Sequence, residues 1–147
     1  MEIITATAAQ LEQVSRLFDQ YRVFYQQASD IDAAKRFITQ RIALEESVIF
    51  LAMKNGVAIG FTQLYPSFTS VGMARIWILN DLFVHEAHRN KGVAQMLMEH
   101  AIDYSKTTGR KKIVLSTAYD NTNAQSLYEK LGFSREDFYN YELTTNL

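Results

Sequence analysis

The sequence predicts an α/β fold in which a mixed sheet is covered by helices, in the order β-α-α-β-β-β-α-β-α-β. Three observations predict it. Two β-rich runs, "VIFLAMK" and "VAIGFTQLY", flank Asn55-Gly56, the dipeptide that a type I′ hairpin turn demands. "ARIWILNDLFV" reads as a long strand, apolar on both faces and therefore central. Elsewhere apolar residues recur at helical spacing behind capping residues.

Taken in order, "EIIT" is a short opening strand. Thr7 and Gln10 make a Thr-x-x-Gln capping box ahead of Leu11, Val14, Leu17, Phe18 and Tyr21, which share one helical face. Asp30 or Asp32 caps a second helix, with Ala34, Phe37, Ile38 and Ile42 as its inner stripe. The hairpin follows, and Pro66, the only proline, ends its second strand. Beyond the central strand lies a polar loop, then a helix with Ala94, Leu97, Met98, Ala101 and Ile102 inward, stopped by Gly109. "KIVLST" is a buried strand. Asp120 or Asn121 caps a further helix with Ala124, Leu127, Tyr128 and Leu131 on one stripe, closed by Gly132. "FYNYEL" finishes the chain as a strand that is available to pair across a homodimer.

The 147 residues fit a single domain, 1–147, large enough for a real hydrophobic core. A hydrophobic content of 48% with 21% charged residues is that of an ordinary globular protein. A net charge of −1 and a pI of about 6.3 argue against a dedicated nucleic-acid binder. The absence of cysteine excludes disulfides, thiolate metal sites and a cysteine nucleophile. "MEIITATAAQ" has neither the basic nor the apolar region of a signal peptide. The longest apolar runs are strand-length, against the roughly 20 residues that cross a bilayer, so a cytoplasmic protein without a membrane partner is expected.

Within "HRNKGVA", Arg89 and Lys91 gather where a helix begins. Helix N-termini already carry partial positive charge, so cations there invite an anion. Strand, then this loop, then helix is an arrangement that binds phosphate: backbone N–H groups of the first turn point outward, and Gly92 admits a ligand close to the main chain. Solvated loop charges beside a plain turn are the other reading. Neither Gly-x-x-x-x-Gly-Lys-Ser/Thr nor Gly-x-Gly-x-x-Gly occurs.

Arg89-x-x-Gly92-x-Ala94, placed after "LNDLFV", resembles the Arg/Gln-x-x-Gly-x-Gly/Ala signature of the GNAT superfamily of acetyl-CoA-dependent N-acetyltransferases. "NTNAQSLYEKLGF", Asn121 to Phe133, is similar to that family's Asn-x-x-Ala-x-x-Leu-Tyr-x-x-x-Gly-Phe segment, and the two stand in the family's order. The resemblance implies a GNAT-like acyl-CoA N-acyltransferase fold with acetyl-CoA as cosubstrate. It implies that Arg89, Asn90, Lys91, Gly92, Val93 and Ala94 hold the pyrophosphate. Leu82, Phe83 and Val84 would offer backbone groups to the pantetheine arm, for which their strand must splay from its neighbour. Asn121 falls where the family often has an asparagine that hydrogen-bonds the cofactor; a helix N-cap is its structural reading, and both can hold at once. Ala94 replaces a more usual glycine, and Asn90 stands where many relatives have another.

Acetyl transfer to an amine needs a neutral nucleophile and a proton for the departing sulfur. Tyr128 matches the family's general acid, and a phenol is protonated at neutral pH; as a residue of the inner stripe it also reads as a core aromatic. A carboxylate base is implied on the central strand or at the strand before the last motif. Ser116 and Thr117 stand at the latter place, which leaves Asp81. A carboxylate in so apolar a strand is costly without a purpose or a partner, so Asp81 reads either as the base or as a structural hydrogen-bonding group. "HEAH", His85 to His88, has histidines at i and i+3 rather than the i and i+4 of a zinc helix, and no metal site is expected. His100 reads as a surface residue. The acceptor pocket is expected from "YRVFYQQ" and "LYPSF", which combine aromatics with polar tips. The acceptor class stays open among small amines, polyamines, amino acids and protein N-termini. The resemblance points to an enzyme working by direct transfer; an acyl-CoA-binding sensor on the same fold and a cofactor-free interaction module are the alternatives.

Overall fold

The structure, a computed structural model, describes residues 1–146. They divide into two compact units, Met1–Ser116 and a second beginning at Thr117. The first unit contains β1 (Glu2–Thr5), α1 (Leu11–Phe24), α2 (Ile31–Ala43), β2 (Val48–Lys54), β3 (Val57–Thr69), β4 (Ala74–Val84), α3 (Val93–Thr107) and β5 (Ile113–Val114). The second contains α4 (Thr122–Lys130). The sheet is mixed, with strand order β1-β2-β3-β4-β5; β5 runs parallel to β4 and the other pairs are antiparallel.

Local sequence explains most boundaries. Thr7 and Gln10 form the capping box, which first closes a 3-10 turn over Ala8–Gln10 and then feeds α1. Of the two candidate caps for α2, Asp30 accepts from the Ala33 amide at 3.1 Å. Asn55 and Gly56 have φ of 51° and 77°, the left-handed pair a type I′ turn needs, and they join β2 to β3. Val14, Leu17 and Phe18 of α1 and Ala34 and Ile38 of α2 are buried against Ile49, Leu51, Phe61 and Phe83 of the sheet. Each of these side chains except that of Ala34 contributes about 1.5–3 kcal/mol by leaving water. On the opposite face α3 buries Leu97, Met98 and Ala101, and the fully buried Phe50 meets the rings of His100 and Tyr104 at 4.6 Å and 5.2 Å. His100 is therefore a packing residue and not simply a surface one.

Three expectations about strands are corrected. Pro66 does not end β3, which runs to Thr69 with Pro66 opposite Trp77. Pairing with β2 stops at Leu64, so Pro66 lies on a free edge where a missing N–H costs no ladder bond. "KIVLST" contributes only Ile113 and Val114 to the sheet. "FYNYEL" is not a strand, and Phe138, Tyr139, Tyr141 and Leu143 are exposed rather than paired.

Candidate active site

The strand β4 changes phase at its centre. Gln63 pairs with Asp81 but Leu64 pairs with Leu79, so Asn80 is the extra residue of a β-bulge. Before it, Trp77 faces α3, with its ring 5.7 Å from Tyr104 and its Nε1 donating to Thr108 Oγ1 at 3.2 Å. After it, Phe83 packs with Phe18 and Phe61 on the α1 side. The bulge thus turns Asp81, which regular alternation from Trp77 would aim at α3, onto the side of α1.

Asp81 is buried, 2% exposed, and has no ion pair among the described residues. Its Oδ1 accepts from Asn80 Nδ2 at 2.8 Å and its Oδ2 from Gln63 Nε2, and Tyr21 also bonds to it. Burial pushes its carboxyl above the usual carboxylate range, opposed by those three hydrogen bonds. Tyr21 also donates to the Asn80 carbonyl at 3.3 Å, and burial, then the Asp81 charge, raise its phenol above the ordinary value. The Tyr65 phenol is pushed up to about 12 by burial and then by Asp81. The two segments from which a pocket is expected, "YRVFYQQ" and "LYPSF", thus each send a neutral tyrosine toward this carboxylate.

On its other edge β4 pairs with β5 only at Trp77–Ile113 and Ile78–Val114. From Leu79 to Val84 that edge has no strand partner among the described residues. The edge runs through Leu82, Phe83 and Val84 into the loop of Arg89, Asn90, Lys91 and Gly92. Gly92 has φ +81°, and a Cβ built on it meets nothing within 4 Å. It caps α3 with its backbone; the first α-helical bond runs from the Met96 amide to the Gly92 carbonyl at 3.1 Å, so the amides of Val93 and Ala94 have no acceptor within the helix. Asn90 is likewise left-handed, φ 61°. Lys91 lies on the surface, with Nζ 3.5 Å from the Ala87 carbonyl.

Arg89 has partners within the chain as well. Its Nε donates to the Val84 carbonyl at 2.8 Å, and its guanidinium lies over the rings of Phe24 and Phe83 at 5.3 Å and 5.4 Å. The side chain ties the loop to the end of β4 and engages one of the Val84 backbone groups. The histidines of "HEAH" have a local role: His85 Nδ1 accepts from the Ala87 amide at 3.2 Å and caps a short 3-10 turn. Among the described residues no group of three or more His, Cys, Asp or Glu could hold a metal ion.

In the second unit Asn121 is the N-cap of α4, its side chain accepting from the Ala124 amide at 3.3 Å. Asp120 is not the cap. Tyr128 is half-buried in α4, with its ring 6.1 Å from that of Phe133. Ser47 and Gln63, which complete the Asp81 environment, are not singled out by sequence reasoning. The available signal was a glutamine at the inward position between Phe61 and Tyr65.

A family model for the acetyltransferase (GNAT) family matches residues 11–133. The chain belongs to the GNAT acetyltransferase family. The match begins in α1 and runs to Phe133, the last residue of the second motif, so it takes in both. An uncharacterized N-acetyltransferase of Bacillus subtilis (strain 168), YhfO, is 46% identical over 136 residues, covering 92% of this chain and 91% of that protein. A probable acetyltransferase of Haemophilus influenzae is 32% identical over 134 residues, with 90% of each chain covered. The crystal structure of a probable acetyltransferase superposes with a TM-score of 0.93 at 39% identity, covering 99% of each chain. The GNAT chain is thus an acetyltransferase, and its α/β class and element order up to α4 are those expected from the sequence. No helix among the described residues is long and apolar enough to cross a membrane.

Proposed function

We propose that this GNAT protein is an N-acetyltransferase that moves the acetyl group of acetyl-CoA directly to a primary amine. One observation carries the reading: the unpaired edge of β4 from Leu79 to Val84 leads into a left-handed glycine at the start of α3. An unpaired edge is a row of donors and acceptors that an amide-bearing chain can join, as the pantetheine arm is. The open space over Gly92 and the outward amides of Val93 and Ala94 fit a pyrophosphate.

When bound, acetyl-CoA supplies an acetyl group activated as a thioester. Leu82 offers backbone groups along the arm and Val84 retains its amide, while the backbone of Phe83 faces β3, as does the His85 amide two residues on, which bonds the Ile59 carbonyl. Gly92, Val93 and Ala94 present main-chain donors to the phosphates, with Lys91 adding charge and Asn90 shaping the turn. Arg89 acts first as the brace that sets the loop and then, through its terminal nitrogens, as an anion contact. Asp81 accepts the proton of the attacking amine, directly or through water, because burial makes its carboxylate more basic than usual. Tyr128 donates a proton to the departing sulfur, and Asn121 secures the first turn of the helix that carries it. With no cysteine in the chain, an acetyl-cysteine relay is impossible.

The test is acetyl-CoA turnover against a panel of amines, read as free thiol release, beside retention on immobilised CoA. Retention with amine-dependent thiol release is the expected result. Retention without release from any amine would leave a CoA-binding sensor, and loss of both would remove the cofactor site altogether.

A further inference from the structure

Gln63 is fully buried in β3 directly opposite Asp81, and its Nε2 donates to Asp81 Oδ2. Its Oε1 in turn accepts from Ser47 Oγ at 2.8 Å, just ahead of β2. A glutamine at 0% exposure must have both ends of its amide satisfied, or desolvation of the unsatisfied end costs stability. Here one end is satisfied by a hydroxyl and the other by a carboxylate. The two partners are unequal in what they accept. An ionised carboxylate takes only the NH₂ end, whereas a serine hydroxyl can face either end, donating to the carbonyl or accepting from the NH₂. Ser47 therefore lets Gln63 keep its donor on Asp81 with no polar atom left over.

The count of lone pairs shows what this leaves. An ionised carboxylate has about four acceptor positions. Gln63 and Asn80 occupy two and the single O–H of Tyr21 is shared between a third and the Asn80 carbonyl, which leaves at least one for an incoming donor. We propose that Ser47 and Gln63 are positioning residues for Asp81, fixing its Oδ2 and holding the carboxylate in its proton-accepting form. The proposal rests on Asp81 being the base.

Among the described residues no charged side chain acts on the carboxylate directly. From α1 it meets Tyr21, with Tyr25 acting on Tyr21; from β3 Tyr65 feels its charge, and Arg41 of α2 acts on Tyr65. Neutral donors alone therefore oppose the burial of Asp81, and Gln63 is one of only a few.

The experiment is a ¹³C carboxyl NMR titration of Asp81, whose resonance is assigned by its loss in Asp81→Asn. Gln63→Leu removes the donor while keeping an apolar side chain, and should raise the titration midpoint of Asp81 by about one to two pH units, the size of one hydrogen bond to a charged group. Ser47→Ala should move it in the same direction by less, and Ser47→Thr should leave it at the wild-type value. Gln63→Met serves in place of Gln63→Leu if that variant does not fold, and Ser47→Ala removes only a half-buried hydroxyl. A midpoint unchanged in the folded Gln63 variant and in Ser47→Ala overturns the proposal, and so does an equal shift in Ser47→Ala and Ser47→Thr. The base reading fails by a separate result, undiminished acetyl transfer in Asp81→Asn.

Discussion

Replacing Gly92 with aspartate places one negative charge where the pyrophosphate is proposed to sit. The position has φ +81°, and an L-residue there pays about 1–2 kcal/mol relative to glycine. No clash adds to this, since a Cβ meets nothing within 4 Å. A carboxylate at the start of α3 recovers about 0.3–1 kcal/mol from the helix dipole. The net loss is about 1 kcal/mol, which lowers the melting temperature by about 2–4 °C in a chain of this size. Binding is hit much harder. Two like charges about 4 Å apart, at an effective dielectric of about 20, repel by about 4 kcal/mol, or about 10³-fold in Kd. Gly92→Asn has the same shape and strain without the charge, so its CoA affinity should stay within about tenfold of wild type. Isothermal titration with CoA, run at low and high salt beside thermal denaturation, measures all of this, and the aspartate penalty should shrink as salt rises. Wild-type affinity in Gly92→Asp would falsify the assignment of the loop. Equal losses in the Asp and Asn variants would show that shape rather than charge is decisive.

Tyr128→Phe should fold and bind acetyl-CoA normally while turnover falls by about 10²–10⁴-fold; a kcat within about twofold of wild type returns Tyr128 to a packing role. Asp81→Asn should lower kcat/KM by a similar factor and abolish the acidic limb of the pH–rate profile, which in the wild type lies above the ordinary carboxylate range because burial raises this carboxyl. The stability sign is the reverse of the usual one for an acid. The folded state binds this proton more tightly than the unfolded chain, so ionisation of Asp81 costs stability as pH rises from the unfolded pKa through the higher folded one, and Asp81→Asn should melt at or above the wild-type temperature at neutral pH. A lower melting temperature with the acidic limb intact makes Asp81 structural. Arg89→Ala should weaken CoA binding most at low salt and also lower the melting temperature, because it releases the Val84 carbonyl; Arg89→Lys, which has no Nε fork, should not restore the latter. A melting temperature unchanged in Arg89→Ala contradicts the brace.

The parts legible in the sequence are those governed by neighbours along the chain. Asn55-Gly56 specified its turn because both positions need positive φ, and Thr7 with Gln10 marked a helix start because the two side chains bond locally. The apolar stripes of α1 and α3 were readable because burial imposes their period. What could not be read depends on partners far along the chain. Nothing in "WILNDLFV" says that Asn80 is a bulge, since that is set by the register with Gln63 and Leu64. Pro66 looks like a terminator in the sequence, which does not show that β2 ends early and leaves an edge. Arg89 matched a motif position, yet its Nε bonds to a carbonyl whose availability only the fold decides. The residues around Asp81 come from α1, from β3 and from Ser47, and no spacing rule links them.

The bulge at Asn80 also divides β4 into two segments that can change separately. Residues on its hairpin side keep time with α3, and those beyond it keep time with α1, so the strand works as two rulers joined by a one-notch offset. Lengthening or shortening the 70–73 turn alters the first ruler and leaves Asp81 and Phe83 where they are. Deleting Asn80 itself would bring the rulers back into step. With β4 held by its hairpin side, every side chain from Asp81 to Val84 would then exchange faces, and the carboxylate would be carried away from Tyr21 and Gln63 without any change in its own chemistry. The site is therefore insensitive to the length of that turn and sensitive to the loss of one residue at the offset.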